Sequence, residues 1–294
     1  MWRSLAILTV LLILAGSSVR AVPPPPAAGA PPAANATAID RGFQRLYNFD
    51  FPGAFTVLDD AARTEPDNAL VDSVRAVTYL YSEMARLHIL ESTFFLNTNN
   101  LVDGATKLKP DPAARGAMFA AMEAARRRAT ARLAQSPDDV EALFALCMAA
   151  GVETDYAGLV EGRTWRSVKL APNSLRYANR LLAQTPPFYD AYLNFGAVEY
   201  IVGDLPFFVR WFVRFDGIKG DKARGIEELK MTAERGRYYG PFARVLLVLV
   251  SLREHRPAEA EQWLRGLVND FPENPLFGKE LARLHGRQAG RPER

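Results

Sequence analysis

The sequence predicts an all-α fold of stacked antiparallel helix pairs, and three features of the 294-residue chain predict it. Small residues recur at fixed offsets ahead of a proline. Helix-start and helix-stop residues bracket segments of helical length, and no stretch between turn residues shows the apolar–polar alternation of a strand. Composition agrees, since 49% hydrophobic and 23% charged residues suit a folded chain. The single cysteine, Cys147, rules out an internal disulfide and leaves stability to packing.

At the N-terminus, Arg3 precedes an apolar run from Leu5 to Ala15 broken only by Thr9, and Val19-Arg20-Ala21 supplies small residues for cleavage. Residues 1–21 therefore read as a secretory signal. The run falls short of the roughly 20 residues that span a bilayer, and no cysteine follows it to carry a lipid. The expected product is soluble and exported, periplasmic or extracellular. Residues 22–37 are a linker rich in Pro and Ala, extended and unable to bury a core. The helical domain is expected over residues 38–286, followed by a basic flexible tail over 287–294. Formal charge is +3, and Arg3 and Arg20 in the leader supply two of those charges. A near-neutral chain gives no electrostatic case for nucleic acid, and Arg126-Arg127-Arg128 reads as a solvated helix face.

The helix pairs follow in order. Read back from Pro66, Gly42 and Ala54 are the small residues at which two helices approach, with Leu58 and Ala61 continuing the second helix. Ala76 and Tyr79 open the next unit, which Pro137 closes after Ala125 and Ala129, with Arg132 departing from the pattern. Leu143, Leu146 and the small Cys147 begin another first helix. After Pro186 comes the clearest half-unit, with Tyr192, Phe195, Gly196, Gly203 and Asp204, and with Tyr200 one place beyond the usual aromatic position. Pro272 closes the last pair after Ala260, Leu264 and Leu267, and a final helix is expected near Pro275 to Leu284. Asp50-Phe51-Pro52 and Asp204-Leu205-Pro206 restart helices in the same way, since Asp caps free amides and Pro is accepted in a first turn. Arg256-Pro257 marks a similar restart, and Asp221 and Gly236 bracket a helix from Lys222 to Arg235. Phe94 to Pro112 and Val152 to Pro172 break the period and read as long connections, the kind of segment that often carries function. Asp155 and Tyr156 lie in the second.

This grammar, over residues 38–285, resembles the tetratricopeptide repeat superfamily, most specifically in the first, fourth and last units. The resemblance implies a right-handed solenoid of antiparallel helix pairs with degenerate repeats and a concave groove. A narrower resemblance, from Leu143 to Leu252, is to the periplasmic T-component of tripartite (TRAP-type) transporters. It rests on Pro187-Phe188-Tyr189, Phe195-Gly196, Leu205-Pro206, Gly220-Asp221-Lys222 and the small-residue helix before Gly236. That family implies binding of apolar ligands or assembly beside a solute-binding protein. The chain departs from it in lacking a lipoprotein cysteine and in carrying the Pro-rich linker.

Nothing in the sequence has the spacing of a catalytic or metal site. His88, His255 and His285 are far apart, and His88 continues the stripe Leu70, Val74, Val77, Tyr81 and Met84, which suggests packing. Nucleophile-elbow, phosphate-loop and dinucleotide motifs are absent. No cofactor is expected, and the chain reads as a binding protein, not an enzyme. One stretch exceeds ordinary repeat grammar: Leu205 to Phe215. By phase it is the second helix of the unit beginning at Tyr189, with Phe208, Phe212 and Phe215 where small or medium residues are usual. It reads as a bulky core helix, as the lining of a groove, or as a peripheral membrane contact with Arg210 and Arg214 on its edge. Candidate binding residues are Tyr156, Tyr200, Phe208, Arg210, Trp211, Phe212 and Phe215. The leading expectation is an exported, non-catalytic adaptor that binds a protein or peptide in a helical groove. The alternative is a periplasmic binder of small apolar ligands.

Overall fold

The computed structural model describes residues 36–96, 108–204 and 218–289. Among these residues there are twelve α-helices and no strand. The first six are α1 (Ala38–Tyr47), α2 (Phe51–Thr64), α3 (Ala69–Arg86), α4 (Ser92–Leu96), α5 (Pro112–Gln135) and α6 (Val140–Asp155), which runs into a π turn at Tyr156–Val160. Then come α7 (Thr164–Leu182), α8 (Tyr192–Asp204), α9 (Lys222–Arg235), α10 (Gly240–Arg253), α11 (Pro257–Asp270) and α12 (Pro275–Ala289).

Local chemistry sets the ends of these helices. Thr37 and Asp40 form a reciprocal capping box on α1. Asp50, Asn68, Asp111, Asp139 and Asp221 each accept an amide in the first turn of the helix that follows. Proline stands in the first turn of α2, α5, α10 and α11, where its missing N–H costs nothing. Three helices end in one way. Phe49, His88 and His255 take left-handed backbone, with φ of 63°, 58° and 58°. The amide after each reaches back across the last turn, Asp50 to Arg45 O at 3.0 Å, Ile89 to Met84 O at 2.9 Å and Arg256 to Ser251 O at 2.7 Å. His88 is thus an exposed terminator beyond α3 and not a continuation of its apolar stripe.

The helices pack chiefly as neighbours in sequence, with α1 on α2, α3 on α5, α6 on α7, α8 on α9 and α10 on α11. Small residues mark the crossings. Gly42 faces Leu58 between α1 and α2, and the buried Cys147 on α6 donates to Ser174 O on α7 at 3.6 Å. At the α8–α9 crossing, a Cβ on Gly196 would lie 2.9 Å from Gly225 O, and one on Gly225 would lie 2.7 Å from Tyr200 N. Backbone meets backbone there, so only glycine fits without a shift.

That crossing revises the phase of the fourth unit. The helix paired with α8 is α9, with Gly225, Leu229 and Thr232 buried toward it. The repeat phase predicts the stretch from Leu205 to Phe215 for that place, because Asp204-Leu205-Pro206 copies the restart at Asp50-Phe51-Pro52; the stretch lies outside the described residues. The expected connection from Val152 to Pro172 is also revised, since it is helical apart from residues 161–163. Pro172 sits inside α7. The extensive contact of α7 with α6 outweighs the local tendency of proline to end a helix.

An ideal repeat array touches only its neighbours; here the last units return to the first. Tyr47 on α1 packs at a tilt against Phe271 at 5.5 Å, and its carbonyl accepts from Asn274 Nδ2 at 2.8 Å. The Glu280 carboxylate on α12 accepts from Ser92 Oγ at 2.5 Å, while Lys279 and Arg283 pair with Glu91. The Tyr47 hydroxyl donates to the backbone carbonyl of Tyr238 at 2.9 Å. The closure makes α6 an interior helix. With its π turn, Val140–Val160 is long and apolar enough to cross a membrane, but 67% of that span is buried within the protein, against α3, α5 and α7.

Candidate functional site

The folding of α5 beside the start of α1 leaves a groove of about 840 Å³. Its floor is the face of α5 carrying Arg127, Arg128, Ala131 and Arg132. Its rims are Thr37 to Ile39, the α2–α3 turn with Glu65 and Asp67, Glu141, and Arg237 with Tyr238. Three of the arginines are held by acids: Arg128 by Asp72, Arg132 by Asp139 at 2.6 Å and Glu141 at 3.3 Å, and Arg237 by Asp40 at 2.7 Å. Burial opposes ionisation of Asp40, but hydrogen bonds from Arg237 and Thr37 hold its carboxyl below the usual carboxylate range. Arg127 is exposed and has no polar partner among the described residues. The groove therefore offers one free guanidinium within a set of positioned charges.

A second candidate surface lies along α6. The stripe Phe144, Cys147, Gly151 and Asp155 shares one face of this helix by its spacing. Phe144 and Cys147 are buried, yet a Cβ on Gly151 would meet nothing within 4 Å. One turn further on, Asp155 is exposed. It makes no hydrogen bond or ion pair among the described residues. With no donor to oppose desolvation, its carboxyl is pushed up to about 7. Both Tyr81 on α3 and Tyr239 before α10 are part-exposed and feel the Asp155 charge. Their phenol pKa values stand well above the ordinary range, first through burial and then through neighbouring charge. Phe242 packs edge-on against Tyr81 at 5.5 Å, and Tyr239 lies 5.4 Å from Phe144. Burial pushes the Cys147 thiol up to about 12, which removes it as a nucleophile at neutral pH.

The candidates named from sequence are distributed differently. Tyr156 is buried in the π turn, edge-on to Phe119 at 5.8 Å, with its hydroxyl unpartnered. Tyr200 is buried against α9, donates to Glu254 Oε1 at 3.0 Å, and carries Lys222 Nζ 5.4 Å from its ring centre. Neither lines the groove. Phe208, Arg210, Trp211, Phe212 and Phe215 lie outside the described residues. Sequence reasoning passed over Arg127 as one of three solvated arginines, and only the fold separates it from Arg126 and Arg128. Asp155 had a signal, a carboxylate on the apolar stripe of α6. No group of three or more His, Cys, Asp or Glu capable of holding a metal occurs among the described residues. Compared with known proteins, the chain matches no family model and no curated sequence.

Proposed function

We propose that the chain is an exported, non-catalytic adaptor of tetratricopeptide type, which holds an acidic segment of a partner protein in the arginine-lined groove. Five helix pairs and their recurrent small-residue crossings support the repeat type. The observation that carries the partner is Arg127, an unpaired guanidinium in a groove whose other arginines are already fixed by acids. A carboxylate from a partner meets a planar, two-pronged donor there. Neighbouring Glu65, Asp67 and Glu141 repel a uniformly acidic surface and favour a segment with one or two placed carboxylates.

Labelled peptides of equal length and acidic, neutral or basic composition test this by fluorescence anisotropy. The acidic series binds best, weakens with salt, and loses about tenfold or more in affinity with Arg127→Ala, the scale of a lost charge-assisted hydrogen bond. Indifference to peptide charge or to Arg127 refutes the reading. Export rests on the Arg3 to Ala21 leader. N-terminal sequencing of extracytoplasmic protein is expected to begin near Val22, and intact Met1 on cytoplasmic protein contradicts it.

A second reading is a binder of small apolar ligands, as in the T-component family. The open space beside Gly151 and the part-exposed rings of Tyr81, Tyr239 and Phe242 favour it. Such sites are mostly apolar with a few placed polar groups.

A further inference from the structure

We propose that the outer face of α7, where Trp165, Lys169 and Arg176 stand in line, docks on an anionic membrane surface. The groove at Arg127 includes no residue of this helix, so the contact is separate from the one that holds a partner protein.

Exposure and spacing define the face. Trp165 is 67% exposed; among the described residues only Ile201 on α8 joins it as an exposed large hydrophobic side chain. Lys169, Pro172 and Arg176 are exposed too. They follow Trp165 at helical spacing, so the four side chains share one stripe about 16 Å long. On the opposite side of the helix Ala171, Leu175, Ala178 and Leu181 are buried, and α7 packs chiefly on α6. The stripe is therefore presented by a helix whose other side is fixed to the core.

The charge of this region has one sign. Between Glu161 and Asp190 the chain carries five bases, Arg163, Arg166, Lys169, Arg176 and Arg180, and no acid. Acids from outside hold three of them: Glu161 pairs with Arg163 at 3.3 Å, Glu153 with Arg166 at 3.6 Å and Asp138 with Arg180 at 3.6 Å. Lys169 and Arg176, the two on the Trp165 stripe, pair with no acid among the described residues. Arg176 meets only its neighbour Tyr177, at 5.1 Å from the ring centre. Bases also crowd the first turns of α7, where the helix dipole favours acids, and no side chain caps its amides. An external anion relieves that conflict. Cations alone would serve an acidic protein equally well. The exposed indole beside them adds a preference for the headgroup layer, where tryptophan is at home and lysine and arginine find phosphates.

The test uses the chain from Val22 onward, which keeps every described residue and omits the apolar leader. It is mixed with vesicles of phosphatidylcholine, alone or with about 30% phosphatidylglycerol. Co-sedimentation is expected with the anionic vesicles and not the neutral ones, and is expected to fall with salt. Lys169→Gln with Arg176→Gln weakens it roughly 30-fold, the scale of two charges near an anionic surface. Arg63→Gln with Arg265→Gln, the same change of charge on α2 and α11, leaves it within about twofold. Brominated acyl chains quench the fluorescence of the parent, and Trp165→Phe removes most of that quenching. Every one of these positions is exposed, so melting temperatures stay close to that of the parent. Binding that survives the change at Lys169 and Arg176, or quenching that survives Trp165→Phe, places the contact elsewhere and overturns the proposal. So does an absence of vesicle binding. A polyglutamate peptide that binds through Lys169 and Arg176 while anionic vesicles do not bind makes the face a docking site for protein, and overturns it as well.

Discussion

The fourth helix pair encloses two carboxylates and satisfies both, whereas α6 leaves the carboxylate of Asp155 exposed and without a partner among the described residues. Asp190, 2% exposed, accepts three backbone amides at 2.9, 2.7 and 2.6 Å, from the turn that enters α10. Glu199, fully buried, takes those of the turn that enters α9, with Gly220 N at 2.7 Å and Asp221 N at 2.9 Å. Burial raises the Asp190 pKa, and the amides oppose that rise. At Asp155 nothing opposes it. An enclosed acid surrounded by amides fixes a turn in place, whereas an exposed one without a partner fixes nothing. The two regions also differ in packing. Gly196 and Gly225 bring backbones into contact, while a Cβ on Gly151 would touch nothing.

The largest effect is expected at Asp190. Asp190→Ala strands one buried and two part-buried amides at about 1–3 kcal/mol for a fully buried one, so a total loss of about 3 kcal/mol is expected in urea unfolding. A loss below about 1 kcal/mol would mean that the turn from Arg237 to Tyr239 holds itself, and the contrast with Asp155 would collapse.

Gly196→Ala comes next. Its methyl group meets Gly225 O and Leu229 N at 2.9 Å, so a backbone has to move, at about 1–3 kcal/mol. Gly42→Ala is the control, because its nearest atom is Leu58 Cδ2 at 3.3 Å, a side-chain end that yields. Equal melting temperatures for the two variants would remove the distinction between a backbone crossing and a side-chain crossing.

Asp155→Asn has a smaller effect of the opposite sign, and it depends on pH. A carboxyl whose pKa rises from 3.8 to about 7 on folding holds its proton more tightly in the native state. Its stabilising contribution is complete below pH 3.8 and is lost as pH rises through 7. The variant should therefore match the parent in acid and exceed it by about 1 kcal/mol above neutrality, a figure reduced for the water Asp155 touches. Thermal melts across that range check this, and a flat difference would remove Asp155 from the comparison. The smallest effect belongs to Arg127→Ala. Without a partner to lose, it should change stability by less than about 0.5 kcal/mol in the same melts, so any lost peptide binding reflects the groove.

The amino-acid sequence by itself determined the helices and most of their ends, because those depend on neighbours a few residues away. Asp221 and Gly236 bracket α9 as read, Arg256-Pro257 starts α11, and Gly196 marks a close crossing. Local signals failed where two segments imitate one another. Asp204-Leu205-Pro206 has the chemistry of a helix restart, and only the contact of α8 with α9 shows which helix completes the pair. Pro172 has the chemistry of a stop, and the packing of α7 on α6 overrides it. Both candidate surfaces belong wholly to the tertiary level. Arg127 is singled out from Arg126 and Arg128 by the acids that other helices bring to those two, Glu153 from α6 and Asp72 from α3. Closure of the array also brings Tyr239, more than 80 residues after the end of α6, against Phe144 on that helix. Periodicity places a residue on its own helix; what that residue meets is decided by helices distant in sequence.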